Sequence, residues 1–369
     1  MQFPTGVLAR LWRALKTTYP EEVEFAAFQP LHWSSNDDVP PIHDELCQLA
    51  AGGLRSGAGA FGPVVELLQT AGPAAQAELI ACLDLTPLAR TALEHLPGWL
   101  TRMTEERSAA ARLSFKDAVA IADDQGPRLI EIMFAHLAEP WMILRVMSAV
   151  ILNPNERYVS GSELADFGLR LLKDIDRRIV QIKAFDYDAG AKAGLAAAEI
   201  LRVAAAVASE FELSLSMVKD GPWSERLSKQ KQVLASLAEG HLRKLDKIVG
   251  DALPMQPVRI NGRTMRNEPR LDNPPNPVAV ARAKALLSFF FGIRSAAVQG
   301  GYGTMRGKVG EDVAHRLDSY VEELLAMMHS GDVEHLDHAR MFLETVADFT
   351  GMVHDEQAAQ IVRRRAAAA

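Results

Sequence analysis

Apolar side chains recur at three- and four-residue intervals along most of this chain, the spacing that lines one face of an α-helix. The first run is Val7, Leu8, Leu11, Trp12 and Leu15, with Arg10, Arg13 and Lys16 elsewhere on the same turns. It predicts an amphipathic helix over 7–16. Its Leu8, Leu11, Trp12 and Leu15 would meet an anionic membrane surface, a partner helix or their own domain. Residues 19–41 carry Pro20, Pro30, Pro40 and Pro41 and a polar run from Ser34 to Asp38. They read as an extended connector that closes a first segment, 1–41.

From Ile42 to Leu152 the periodic runs are short and punctuated. The breaks fall at Gly57, Gly59 and Gly62-Pro63, at Gly72-Pro73, Thr86-Pro87, Pro97-Gly98, Gly126-Pro127 and Glu139-Pro140. Proline fits the first turn of a helix and ends the one before, so each break predicts a new helix. The spacing resembles helical repeat arrays, although no consensus recurs at a fixed period. Residues 42–155 are therefore expected to form a short-helix domain, repeat-like in layout.

Past Asn153-Pro154-Asn155 the runs lengthen. One helix is expected from Ser160 or Ser162 to Phe185, a second, alanine-rich, from Ala189 to Val218, and a third from Pro222 to Val249. Small side chains let helix axes approach closely, which places the second at the centre of an antiparallel long-helix bundle over 156–252. Residues 253–277 hold six prolines and the cations Arg259, Arg263, Arg266 and Arg270, and read as a proline-rich crossover. Residues 278–369 return to helical periodicity and are expected to pack on the bundle. Phe289, Phe290 and Phe291 are consecutive there, so one helix face cannot bury all three.

Composition sharpens this all-α reading. Alanine and leucine abound while aromatic residues are 7% of the chain, a balance that favours helices over strands. The formal net charge of −7 leaves no broad basic field for nucleic acid. Two cysteines, Cys47 and Cys82, stand beside Asp44, Glu45 and Asp84, where a thiolate is disfavoured; such sparse usage suits inert thiols in the reducing cytoplasm. Charges interrupt every apolar stretch, so neither a signal peptide nor a membrane span is expected.

Gln299 to Gly310 is the most distinctive local motif. A phosphate-binding loop needs a glycine five positions before its Gly-Lys and a serine or threonine after it; Tyr302 and Val309 occupy those places. What remains is an exposed loop whose Gly300, Gly301, Gly303, Arg306, Gly307 and Lys308 would bind an anion or a partner. With them we group Arg259, Arg263 and Arg266 of the crossover. His335 and His338 lack the Glu-x-x-His pairing of helical metal sites. Asp37-Asp38 and Asp123-Asp124 sit beside prolines and lack the aspartate-rich helix that holds magnesium diphosphate. Catalytic residues, metal and cofactor are thus not expected. These features suit a non-enzymatic protein-interaction module, an adaptor, scaffold or assembly subunit that meets a protein partner or a second copy of itself. The alternative is a helical enzyme or ligand-binding domain gripping an anionic ligand with residues 300–310.

Overall fold

A computed structural model describes residues 4–28, 41–101, 104–121, 125–260 and 264–369. They form an all-α protein with one small two-stranded sheet. The chain divides into two compact units, residues 1–168 with 210–218, and residues 169–209 with 219–369. No helix of the described residues is long and apolar enough to cross a membrane.

The first unit opens with α1 (Val7–Thr18), α2 (Pro20–Phe28), α3 (Pro41–Ser56) and α4 (Gly62–Gln69). α2 stands where the sequence suggests an extended connector. Pro20 is its first residue, Glu21 and Glu22 favour its N-terminus, and Val23 and Ala26 are buried in the cluster that also takes Leu11 and Leu15. Residues 29–40, with Asp37-Asp38, lie outside the described residues, as does Asp123-Asp124. Gly53 of α3 is in direct contact with the Phe61 ring, where a Cβ would be 2.4 Å from the ring.

α5 (Ala75–Thr101) corrects a second expectation, since it runs unbroken through Pro87 and Pro97. Each proline removes one backbone hydrogen bond. Burial of Leu79, Leu85, Ala89 and Leu96 against neighbouring helices outweighs that loss. α6 (Glu105–Ile121), α7 (Gly126–Ala135), α8 (Ile143–Val150) and the one-turn α9 (Glu156–Ser160) follow, with α7 opening at Gly126-Pro127 as the pattern predicts. Two buried acids fasten this unit. Glu210 takes two hydrogen bonds from Arg145 (2.7 and 3.1 Å) and one from Ser214, and Glu156 accepts the Val218 amide at 3.0 Å. Each buried carboxylate thus has partners, without which its desolvation would be prohibitive.

Three long helices succeed: α10 (Ala165–Lys183), α11 (Gly190–Ser214) and α12 (Pro222–Ala252). Gln230 of α12 donates to the Leu172 carbonyl and to Asp176, while His241, farther along α12, meets Tyr187 beyond the end of α10. α10 and α12 therefore run in the same direction, as alternate members of an up-down-up series must. The expected crossover is instead a hairpin of β1 (Met255–Ile260) and β2 (Thr264–Pro269), antiparallel with Arg259 opposite Met265. Residues 264–269 have strand pairing in place of helical periodicity, which is why apolar spacing gave no signal there.

α13 (Pro277–Gly292), α14 (Arg294–Gln299), α15 (Gly303–Ser330), α16 (Leu336–Val353) and α17 (Glu356–Ala368) complete the second unit. Asn276 caps α13 by accepting the Val278 and Ala279 amides at 3.0 and 3.4 Å. α13 packs on α12 and α16, and α15 on those same two, so the four close a cycle. Asp246–Arg316 pins α12 to α15, and Lys284–Asp348 pins α13 to α16. α17 docks on α16 through Arg363, which reaches Glu344 and Asp348, and on α15 through Arg365–Glu322. Those pairings, beyond any helix-dipole effect, account for two of the three terminal arginines.

The enclosed helix is α13, not α11. Residues 285–290 are all buried, while α11 leaves Leu195 and Glu199 exposed. Yet the small residues of α11 act as their type suggests. A Cβ at Gly194 would lie 1.9 Å from the Ala285 carbonyl oxygen, and one at Gly292 would lie 2.6 Å from the Ala198 Cβ. Glycine is thus required for the α11–α13 approach at two places. Gly194→Ala and Gly292→Ala are each expected to cost about 1–3 kcal/mol in urea unfolding, by overpacking. Ala198→Gly should recover part of the second loss, because that clash is with a side chain. Ala285→Gly should recover none of the first, because that clash is with backbone.

Candidate functional site

The glycine-rich segment is mostly helix. α15 begins at Gly303, so Arg306, Gly307 and Lys308 lie in its first two turns and the open loop shrinks to Gly300, Gly301 and Tyr302. Three of the glycines have a structural reason, two of them facing aromatic rings and one a left-handed backbone. A Cβ on Gly300 would sit 2.3 Å from the buried Tyr302 ring, Gly301 adopts φ 77°, and a Cβ on Gly310 would sit 2.9 Å from the Phe290 ring. Arg306 turns inward, donating Nε to the Phe290 carbonyl at 3.0 Å with its guanidinium 4.3 Å above the Phe290 ring. Burial, and Arg294 beside it, lower the Arg306 pKa. Arg306 is thereby a packing cation, while Gly307 and Lys308 remain exposed.

The crossover cations do not join this segment into one site. Arg259 is exposed on β1, Arg266 on β2 is paired with Glu323 of α15, and Arg263 lies outside the described residues. α1 buries Leu11 and Leu15 in its own unit and leaves Leu8 67% and Trp12 42% exposed, so half of its expected contact face is already occupied. The His338 Nδ1 lies 2.9 Å from the Leu271 carbonyl oxygen. No group of three ligating side chains gathers among the described residues. Burial, with Asp44 nearby, pushes the Cys47 thiol up to about 11, and burial raises Cys82 as well. Both thiols are free and poorly nucleophilic.

Two surface features remain. The first continues from Phe291, the exposed member of the phenylalanine triplet: Phe289 and Phe290 are buried, and Phe291 is 56% exposed. A one-residue turn at Ile293 separates α13 from α14, and Arg294, Ser295 and Val298 follow Phe291 by three, four and seven positions. That spacing lines one side, and all four are exposed, Val298 at 79%. Ile293, Ala296 and Ala297 turn inward. The result is an apolar pair about a cation, exposed among the described residues.

The second feature escaped the pattern of apolar spacing. A cavity of about 480 Å³ opens at the α10–α11 turn, lined by Phe185, Asp186, Tyr187, Asp188, Ile248, Asp251, Asn276, Val278, Ala279 and Arg282. Arg282 is paired with Asp188, and Asp186 and Asp251 reinforce its charge. Behind it, the Tyr187 hydroxyl and His241 Nδ1 share a hydrogen bond of 2.7 Å, and Lys244 donates to that hydroxyl at 3.3 Å. His241 also touches the rings of Phe185 and Phe289 at 5.4 and 5.2 Å. In sequence, Asp186-Tyr187-Asp188 reads as a helix break. Its convergence with residues 241–251 and 276–282 depends on three-dimensional packing.

Desolvation, with Lys244 next in weight, lowers the His241 pKa, so it is neutral when folded. An unfolded chain binds a proton there near the ordinary value of 6.5. Acid therefore favours unfolding: the contribution is complete above that value and lost as pH falls toward the lowered folded one. His43, lowered by burial, acts in the same sense. Unfolding free energy should thus rise from pH 5 to pH 7, and His241→Gln should flatten the slope without abolishing it. A slope identical to the parent's would place the coupling elsewhere.

Comparison with protein-family models, with curated proteins and with solved structures finds no match to this chain.

Proposed function

We propose that this chain is a non-enzymatic protein-interaction module, an adaptor, scaffold or assembly subunit, whose contact surface is the outer side of α13–α14. The observation that carries this is the exposure of Phe291 and Val298 on the side bearing Arg294, next to the buried Phe289 and Phe290. Covering a phenylalanine or valine contributes about 1.5–3 kcal/mol each, enough to make them anchors of a modest interface. Arg294 and the exposed Lys308 select a partner segment with an apolar side chain and a neighbouring carboxylate. Two sparse cysteines that are unpaired suit a reducing compartment, and we assign the protein to the cytoplasm.

A photo-reactive amino acid at position 291 in living cells should give a discrete cross-linked species. Arg294→Glu should remove it, and the same probe at the half-exposed Leu195 should not produce it. Equal smears from both positions would contradict the reading. Phe291→Ser should leave unfolding within about 0.5 kcal/mol of the parent, since it is a surface change.

A second reading, a ligand-binding helical domain, draws support from the cavity at the α10–α11 turn, and not from residues 300–310. Three aspartates against one arginine favour a small organic cation there. Putrescine should bind, and Asp251→Asn should weaken it about tenfold, as loss of one charge-assisted contact does. Unchanged affinity in the variant would remove this reading.

A further inference from the structure

Outside both surfaces, a cavity of about 300 Å³ lies between α1 and the start of α4, lined by Arg10, Arg13, Ala14, Thr17, Ala60, Pro63 and Val64. Its charge is one-sided. Arg10 and Arg13 stand three residues apart on one face of α1, and among the described residues neither guanidinium has a carboxylate partner. α1 contains no acidic residue, although the whole chain carries −7. Like charges at this spacing repel by a few tenths of a kcal/mol each on an isolated helix, a cost that an anion between them reverses. By contrast Arg55, Arg90, Arg128, Arg145 and Arg316 each hold an acid.

Among the described residues the opposite wall supplies no acid. Ala60, Pro63 and Val64 line it, and no side chain caps the first turn of α4. Thr17 donates its hydroxyl to the Arg13 carbonyl at 2.9 Å, which fixes it on the cavity's rim. Leu8 and Trp12 are on a different side of α1, two residues or more around from Arg10, so the cavity is independent of the exposed apolar residues.

We infer that this cavity is a binding site for a phosphate group, held between the Arg10 and Arg13 guanidiniums. Arginine suits this ligand because its planar fork of donors matches phosphate oxygens in pairs. The cavity holds a phosphate group with room for the first atoms of what it is attached to. A soluble phosphate ester and a phospholipid headgroup share that chemistry.

The test titrates the full chain with inorganic phosphate by calorimetry and, separately, sediments it with phosphatidylcholine vesicles with or without phosphatidic acid. Saturable phosphate binding is expected, weakened about tenfold by Arg10→Gln or Arg13→Gln and unaffected by Arg364→Gln. Both cavity positions are exposed, and unchanged thermal unfolding confirms that the variants fold. Co-sedimentation that requires phosphatidic acid and both arginines assigns the phosphate to a lipid; phosphate binding without co-sedimentation assigns it to a soluble ester. Failure in both arms, or equal binding by parent and Arg10→Gln/Arg13→Gln double variant, overturns the site.

Discussion

The second unit is organised by the close approach of α11 and α13. With no side chain on Gly194, the Ala285 carbonyl comes within a distance that a Cβ could not share, and Gly292 against Ala198 repeats the device two turns later. Contact this close orients α13 about its own axis. Its remaining faces must then be covered by α12, α16 and, through Phe290, α15. Dispersion and burial gain most where surfaces interlock at such density. The α13 core thus leaves Phe289 and Phe290 inside and brings Phe291 out at the helix end.

Seen from α13, the glycine-rich segment has a structural logic. Phe290 presents its ring to the start of α15, where Gly310 makes room and Arg306 covers the ring and ties back to the Phe290 carbonyl. Gly300 and Gly301 let the chain turn around the Tyr302 ring. Cation, glycines and aromatic rings together pack the junction of α13, α14 and α15. What the segment offers outward is its remainder, Lys308 and the α14 side with Arg294 and Val298.

The all-α class was legible because alanine, leucine and three-four spacing all point one way, and α7, α12 and α13 start at their prolines. Other elements hinge on information that a linear pattern lacks. Glycine signals a turn and a close contact alike, and the difference rests on what stands opposite: Phe290 for Gly310, Ala285 for Gly194. Proline marks a helix start at Pro127 but sits inside α5 at Pro87, where packing on both sides keeps the helix whole. The hairpin at 255–269 is held by cross-strand pairing, which residue spacing does not encode. Of the candidate residues, the exposed phenylalanine was legible from the triplet, whereas the two cavities form from residues far apart in sequence.

The glycine-rich segment forms the packed start of α15, with Phe291, Arg294 and Val298 exposed beside it. Hydrogen exchange of the intact protein measures this directly, amide by amide, at residues 307–312. These amides lie beyond the first turn and have helical acceptors. Protection there should be comparable to the middle of α15 near Leu317 and Val321. Exchange at the rate of an unstructured chain would show an open loop and contradict it.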